Sequence, residues 1–101
     1  MKAYKKIYCK AFGYDYNDKT AYIPSEISGE PAVDIHHIAT REDRIENLMA
    51  VTRIEHKDFG EIKKYMPYLL KIHMRQLQLN NIEFDPKWFE FYIKKYEGLN
   101  E

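Results

Sequence analysis

Pro31-Ala32-Val33-Asp34-Ile35-His36-His37-Ile38, followed by Ile45-Glu46-Asn47-Leu48 and then by His56, is the stretch whose reading decides the fold. Ala32 to Ile38 is short, partly β-branched and bounded by Pro31, which predicts a strand. Residues 39–46 are charged and loop-like, and Asn47 to Thr52 (NLMAVT) predicts a second short strand. From Arg53 a helix is expected to carry His56, Phe59 and Ile62. This window of about two dozen residues holds three of the four histidines; His73 lies outside it and receives no role. Imidazole is the commonest metal ligand and the side chain best suited to proton transfer near neutral pH. The cluster therefore implies a metal site built on a hairpin and the helix after it.

Successive side chains on a strand point to opposite faces. His36 and His37 thus cannot share a direction unless the strand is distorted, and the productive reading gives them different jobs. One ring holds a metal and its neighbour moves a proton. Asp34 shares the face of His36, where it either binds the metal or orients the imidazole by a hydrogen bond.

Outward from the hairpin, residues 2–12 place Ala3, Tyr4, Ile7, Tyr8, Ala11 and Phe12 at helical spacing, with lysines on the other face. Gly13 is a natural stop. Residues 13–22 are polar and turn-like, and residues 24–31 (PSEISGEP) read as a tight turn or knuckle. Pro67 breaks or restarts the helix that follows the hairpin. Tyr68 to Leu79 predicts a second helix carrying Leu69, Leu70, Ile72, His73 and Leu77, stopped at Asn80-Asn81. Asp85-Pro86 is a helix cap followed by Pro at the first helical position. The last helix should then run to about Tyr96, with Gly98 as its stop. The order is helix, knuckle, hairpin, helix, helix, helix.

The 101 residues suit one domain, 1–101, with a modest core. Charge balances at 16 basic and 16 acidic groups, so no global field announces a nucleic-acid partner. Locally, residues 1–22 and 41–75 carry net +3 and +2 and flank an acidic stretch, 23–40, of net −3. Basic segments beside the histidines allow a phosphate-binding surface. Cys9 stands alone, so no intrachain disulfide forms. Neither a secretory apolar segment nor a run long enough to span a bilayer is expected, which predicts a soluble, cytoplasmic (intracellular) protein without a membrane partner. Nine Tyr, five Phe and one Trp read as core builders rather than base-stacking groups.

The residues PAVDIHHI (31–38), IENL (45–48) and His56 in RIEHKDFGE (53–61) resemble the HNH endonuclease family. Asn47 and His56 have eight residues between them, the spacing usual there. The resemblance covers a motif core of about residues 24–60; the helical extension, about 67–98, adds nothing diagnostic. It implies an α+β fold with a small ββα-metal core, a short β-hairpin, an N-terminal helix and additional C-terminal helices. It also implies metal-dependent hydrolysis of DNA phosphodiester bonds. On this resemblance His36 and His56 are metal ligands, with Asp34 as a third candidate. His37 is the general base, and Asn47 braces the loop between the strands and helps place that base. The expected cofactor is one divalent ion: Mg, Mn, Zn, Ni or Co. Small free-standing members of the family are often found in phages, mobile elements or restriction systems.

Many members also carry two Cys pairs for a structural zinc. Here those positions fall on Ser25 and Ser28, and on Thr52 and Glu55, so no structural zinc is expected. Arg41, Arg44 and Arg53 are candidate phosphate-binding groups, set against solvated surface or pairing with Glu42, Asp43 and Glu46. The lysines of the first helix follow a DNA backbone or face solvent. The aromatics of the last helix, Trp88, Phe89, Tyr92 and Tyr96, serve packing or a homodimer contact. Two rivals to the DNA nuclease stay open at this point: a non-catalytic nucleic-acid-binding module that keeps the fold, and a ribonuclease with the same site.

Overall fold

In the computed structural model, which describes residues 2–18 and 22–99, the hairpin forms where the sequence places it. Strand β3 (Asp34–His37) pairs antiparallel with β4 (Leu48–Val51), with Asp34 opposite Val51 and His37 opposite Leu48. The expected strand from Ala32 is divided. Pro31–Ala32 forms β2 and pairs with β1 (Ile23–Pro24), closing the knuckle as a second small sheet. Val33, an exposed residue, joins β2 to β3, and its N–H reaches Val51 O at 3.3 Å. The second strand starts one residue later than expected. Asn47 instead ends a 3₁₀ turn over Ile45–Asn47, which lets its side chain turn back into the loop.

All four residues of β4 are buried, so this strand is covered on both faces. Register sorts the two coverings, because directly opposed residues share a face. Leu48 and Ala50 pack with Tyr8, and Ile35 joins them from β3. This is the face covered by helix α1 (Ala3–Phe12), whose Gly13 stop lies at φ +80°. Met49 and Val51 join the larger core with Leu69, Leu70, Leu77, Trp88 and Phe89. Those residues come from helices α3 (Met66–Leu79) and α4 (Pro86–Leu99). The hairpin is therefore a layer between α1 and the C-terminal helix pair.

The helix after β4 differs from expectation. Helix α2 (Arg53–Glu55) runs directly into a wider π turn, His56–Gly60, and the helix ends there. Ile62 falls outside it. Gly60 is the physical reason: its backbone packs against two imidazole rings, and the wider turn makes the approach. Pro67 restarts the chain in the first turn of α3, where a missing N–H costs nothing. Helix α4 runs through Gly98 to Leu99 rather than stopping at it. A glycine penalty of about 1 kcal/mol is easily carried at one position near a helix end.

Among the described residues the architecture is α+β, with four helices and two two-stranded antiparallel sheets. No helix among them is long and apolar enough to cross a membrane. The expected polar turn over 13–22 reaches residues 19–21, which lie outside the described set. Trp88, Phe89 and Tyr96 of α4 are buried in the chain's own core, so three of the four aromatics considered for a dimer contact pack internally.

Candidate metal and general-base site

Strand alternation separates the two adjacent histidines as their sequence requires. His36 shares the face of Met49 and meets His56 from the π turn, with ring centroids 4.7 Å apart. His37 shares the face of Leu48 and lies edge-on against Tyr4 of α1, with centroids 4.9 Å apart. The two rings thus occupy opposite sides of one edge strand.

On the first side, His36 is 6 % exposed, and its Nε2 is buried without a hydrogen-bond partner among the described residues. Burial, then the neighbouring His56, pushes its pKa down to about 4. His36 is therefore neutral at pH 7, with a lone pair available. His56 Nδ1 lies 3.2 Å from Asp34 Oδ2. That contact favours the tautomer with hydrogen on Nδ1 and leaves Nε2 as an acceptor or ligand. Burial alone would raise the Asp34 carboxyl, but hydrogen bonds from His56 and Arg53 outweigh it and hold the group below its ordinary value. The Gly60 backbone packs against both rings. A Cβ built there would lie 2.9 Å from His56 Cδ2 and 3.2 Å from His36 Nε2.

Asp34 accordingly contacts His56 and Arg53, the arrangement of an orienting group. No group of three or more His, Cys, Asp or Glu side chains gathers in metal-holding geometry among the described residues. What stands together is a pair of imidazoles with an orienting carboxylate.

On the second side, His37 opens into a cavity of about 530 Å³ lined by Lys2, Ala3, Tyr4, Arg41 and Asp43. Of the three candidate phosphate-binding arginines, Arg41 alone lines this cavity. Arg44 is engaged elsewhere: its Nε donates to Glu46 at 3.0 Å, and its guanidinium lies over the Trp88 ring at 5.5 Å. Arg53 donates to both Asp34 carboxylate oxygens at 3.3 Å.

Asn47 is fully buried and closes the loop between the strands with four hydrogen bonds. Its Oδ1 accepts from Ala39 N–H and Thr40 N–H, at 2.8 and 3.1 Å. Its Nδ2 donates to Thr40 O and Glu42 O, at 2.8 and 2.9 Å. An amide is the side chain that can donate and accept in this way.

The four positions where cysteines would hold a zinc also come together, as a hydrogen-bonded cluster. Thr52 caps α2 by accepting from Glu55 N–H at 3.1 Å, and Glu55 Oε1 accepts from Thr52 N–H at 2.8 Å. Ser25 Oγ donates to the same carboxylate and accepts from Ile27 and Ser28 N–H, at 3.1 and 3.3 Å. Burial opposes the charge on Glu55, but hydrogen bonds from Ser25, Ser28 and Thr52 hold its pKa below the ordinary value. The knuckle is thus pinned to the start of α2 by polar bonds.

Two residues of the candidate site escaped the sequence reading. Gly60 is a lone glycine inside an expected helix, which is a usable signal of close backbone approach. Asp43 lies in an aperiodic loop six residues after His37 and offers no such signal. No protein-family model matches the chain, and neither a curated protein nor a solved structure matches it.

Proposed function

We propose that this chain is a metal-dependent nuclease of the HNH type that hydrolyses DNA phosphodiester bonds, built on a ββα-metal core of β3, β4 and α2 with its π turn. The observation that carries the reading is the pair His36–His56, 4.7 Å apart, with a buried and unpartnered His36 Nε2 beside a separate, solvent-open His37. His36 and His56 would hold one divalent ion, with Asp34 orienting His56. Two imidazoles suit Zn, Ni, Co or Mn better than Mg, which prefers oxygen ligands. When bound, such an ion supplies Lewis-acid stabilisation of charge on a phosphoryl or leaving oxygen.

The chain's own residues do the rest. His37 accepts the proton of the attacking water, a contribution of about 10²–10⁴-fold for a well-placed general base. Arg41 and Lys2, on the walls of the same cavity, attract the phosphate and fix its position. Asn47 holds the loop that carries Arg41. A binding module without catalysis has no need of an imidazole that follows the metal-facing one in sequence and opens into a cavity lined by Arg41 and Lys2, and this favours the enzyme over that rival.

The test is plasmid nicking by purified protein in a series of divalent metals. Wild type is expected to nick with metal and to stop on chelation. His37→Ala should lose cleavage while its circular dichroism and metal binding stay unchanged. Equal cleavage by that variant would overturn the role of His37. Metal-independent retardation of DNA on a gel without cleavage would favour the binding module, and parallel digestion of RNA separates a ribonuclease.

A further inference from the structure

Resting on that nuclease reading, we infer that Asp43 is a positioning residue for His37: its carboxylate holds the ring with hydrogen on Nε2 and leaves Nδ1 to take the proton from water. His37 Nε2 lies 2.8 Å from Asp43 Oδ1. A carboxylate only accepts, so the nitrogen facing it carries the hydrogen and the other nitrogen keeps its lone pair. A neutral imidazole free in water samples both tautomers, and only one of them presents a lone pair at Nδ1.

The surroundings hold this arrangement from both ends. The edge contact with Tyr4 limits rotation of the ring from the α1 side. Asp43 follows Glu42, whose carbonyl accepts from Asn47 Nδ2 at 2.9 Å. The buried amide thereby fixes the backbone one residue from the carboxylate, and Asn47 helps to place the base through Asp43. Arg44, the nearest cation in sequence, is tied to Glu46 and Glu42 and does not draw Asp43 away. Among the described residues Asp43 makes no other ion pair. Its half-exposed position means that replacing it leaves the core intact. Arg41 lines the same cavity and sets the phosphate against the ring that Asp43 orients.

The test pairs a tautomer measurement with kinetics. Ring ¹⁵N shifts of His37, read with the imidazole neutral, should place the hydrogen on Nε2 in wild type. Asp43→Ala should give a mixed tautomer population, and Asp43→Glu should restore the wild-type pattern in part. Cleavage by Asp43→Ala should fall roughly 10–100-fold in kcat with KM nearly unchanged, the scale found when a carboxylate behind a metal-ligating histidine is removed. A hydrogen on Nδ1 in wild type would overturn the inference, as would an unaltered tautomer or an unaltered kcat in Asp43→Ala. If wild type cuts no nucleic acid while its Nε2–H tautomer depends on Asp43, the nuclease reading fails and the positioning of His37 by Asp43 stands.

Discussion

Gly60 shows how much a single missing side chain decides. The two imidazoles stand 4.7 Å apart with the Gly60 backbone packed against both, where a side chain would crowd them. A methyl group there would meet His56 Cδ2 at 2.9 Å and His36 at 3.2 Å, below ordinary contact distances. Gly60→Ala should therefore spread the rings, at a cost of about 1–3 kcal/mol for overpacking. On the proposed nuclease reading, zinc or cobalt affinity should also fall roughly tenfold or more, because the proposed ligand pair would lose its geometry. Equilibrium unfolding and a cobalt absorbance titration would check both, and unchanged affinity would mean that the rings need no such spacing. At this scale the sequence was legible wherever one rule acts locally. Alternation along a strand separates His36 from His37, whereas the loop-bracing place of Asn47 is implied by the family resemblance and by no local rule. Asp43 and Gly60 were not legible, because their partners come from loop conformation and from a widened helical turn that no periodicity marks.

Elements dock through polar contacts that sit beside the apolar ones. Glu46, in the 3₁₀ turn before β4, is buried and receives Arg44 Nε at 3.0 Å. Its other oxygen accepts Asp85 N–H at 2.9 Å, the residue that caps α4. One carboxylate thus ties the hairpin to the start of the last helix. Burial opposes its charge, but Arg44 and the Asp85 N–H outweigh that and lower its pKa below the ordinary glutamate value. A depressed folded-state pKa means stability that is present above the unfolded value and lost as pH falls through the folded one. Glu46→Gln should therefore destabilise the protein near neutral pH, by about 1–3 kcal/mol for a hydrogen-bonded charged group. The difference from wild type should shrink as the solution is acidified below the glutamate range. Urea unfolding at neutral and acid pH measures this, and a difference that does not narrow would remove Glu46 from the linkage. The start of α4 was readable from Asp85-Pro86, but its anchor was not, because Glu46 looks like one more charge in a charged loop.

At the scale of the whole molecule, the helices were legible as amphipathic segments, while their assignment to the two faces of the hairpin was not. That assignment depends on register, and on one buried network running through the layers. His73 of α3 is fully buried, with Nδ1 2.7 Å from Glu26 Oε1 and Nε2 2.6 Å from Ile45 O. Glu26, in the knuckle, also accepts the Tyr8 hydroxyl of α1 at 2.7 Å, and its backbone N–H donates to Ala50 O of β4 at 3.0 Å. Burial and the neighbouring Glu26 push the Tyr8 phenol well up from its ordinary value, so it remains a donor. The histidine without a role in the sequence reading thus joins α3 to the knuckle, the loop and α1 across the sheet. Removing one partner of a buried pair costs about 3–5 kcal/mol, because the other is left without compensation. Domains of this kind have only about 5–15 kcal/mol in total. His73→Leu should lower the urea midpoint steeply, since the buried Glu26 carboxyl and the Ile45 carbonyl would lose their imidazole partner. Adding Glu26→Leu should recover part of the loss, because no carboxylate is then left buried without its imidazole partner, although the Tyr8 hydroxyl also loses its acceptor. A double-mutant cycle by equilibrium unfolding reads the coupling. Strictly additive losses would show that the two side chains stabilise the fold separately, whereas recovery in the double variant would show that the network acts as one unit between the layers.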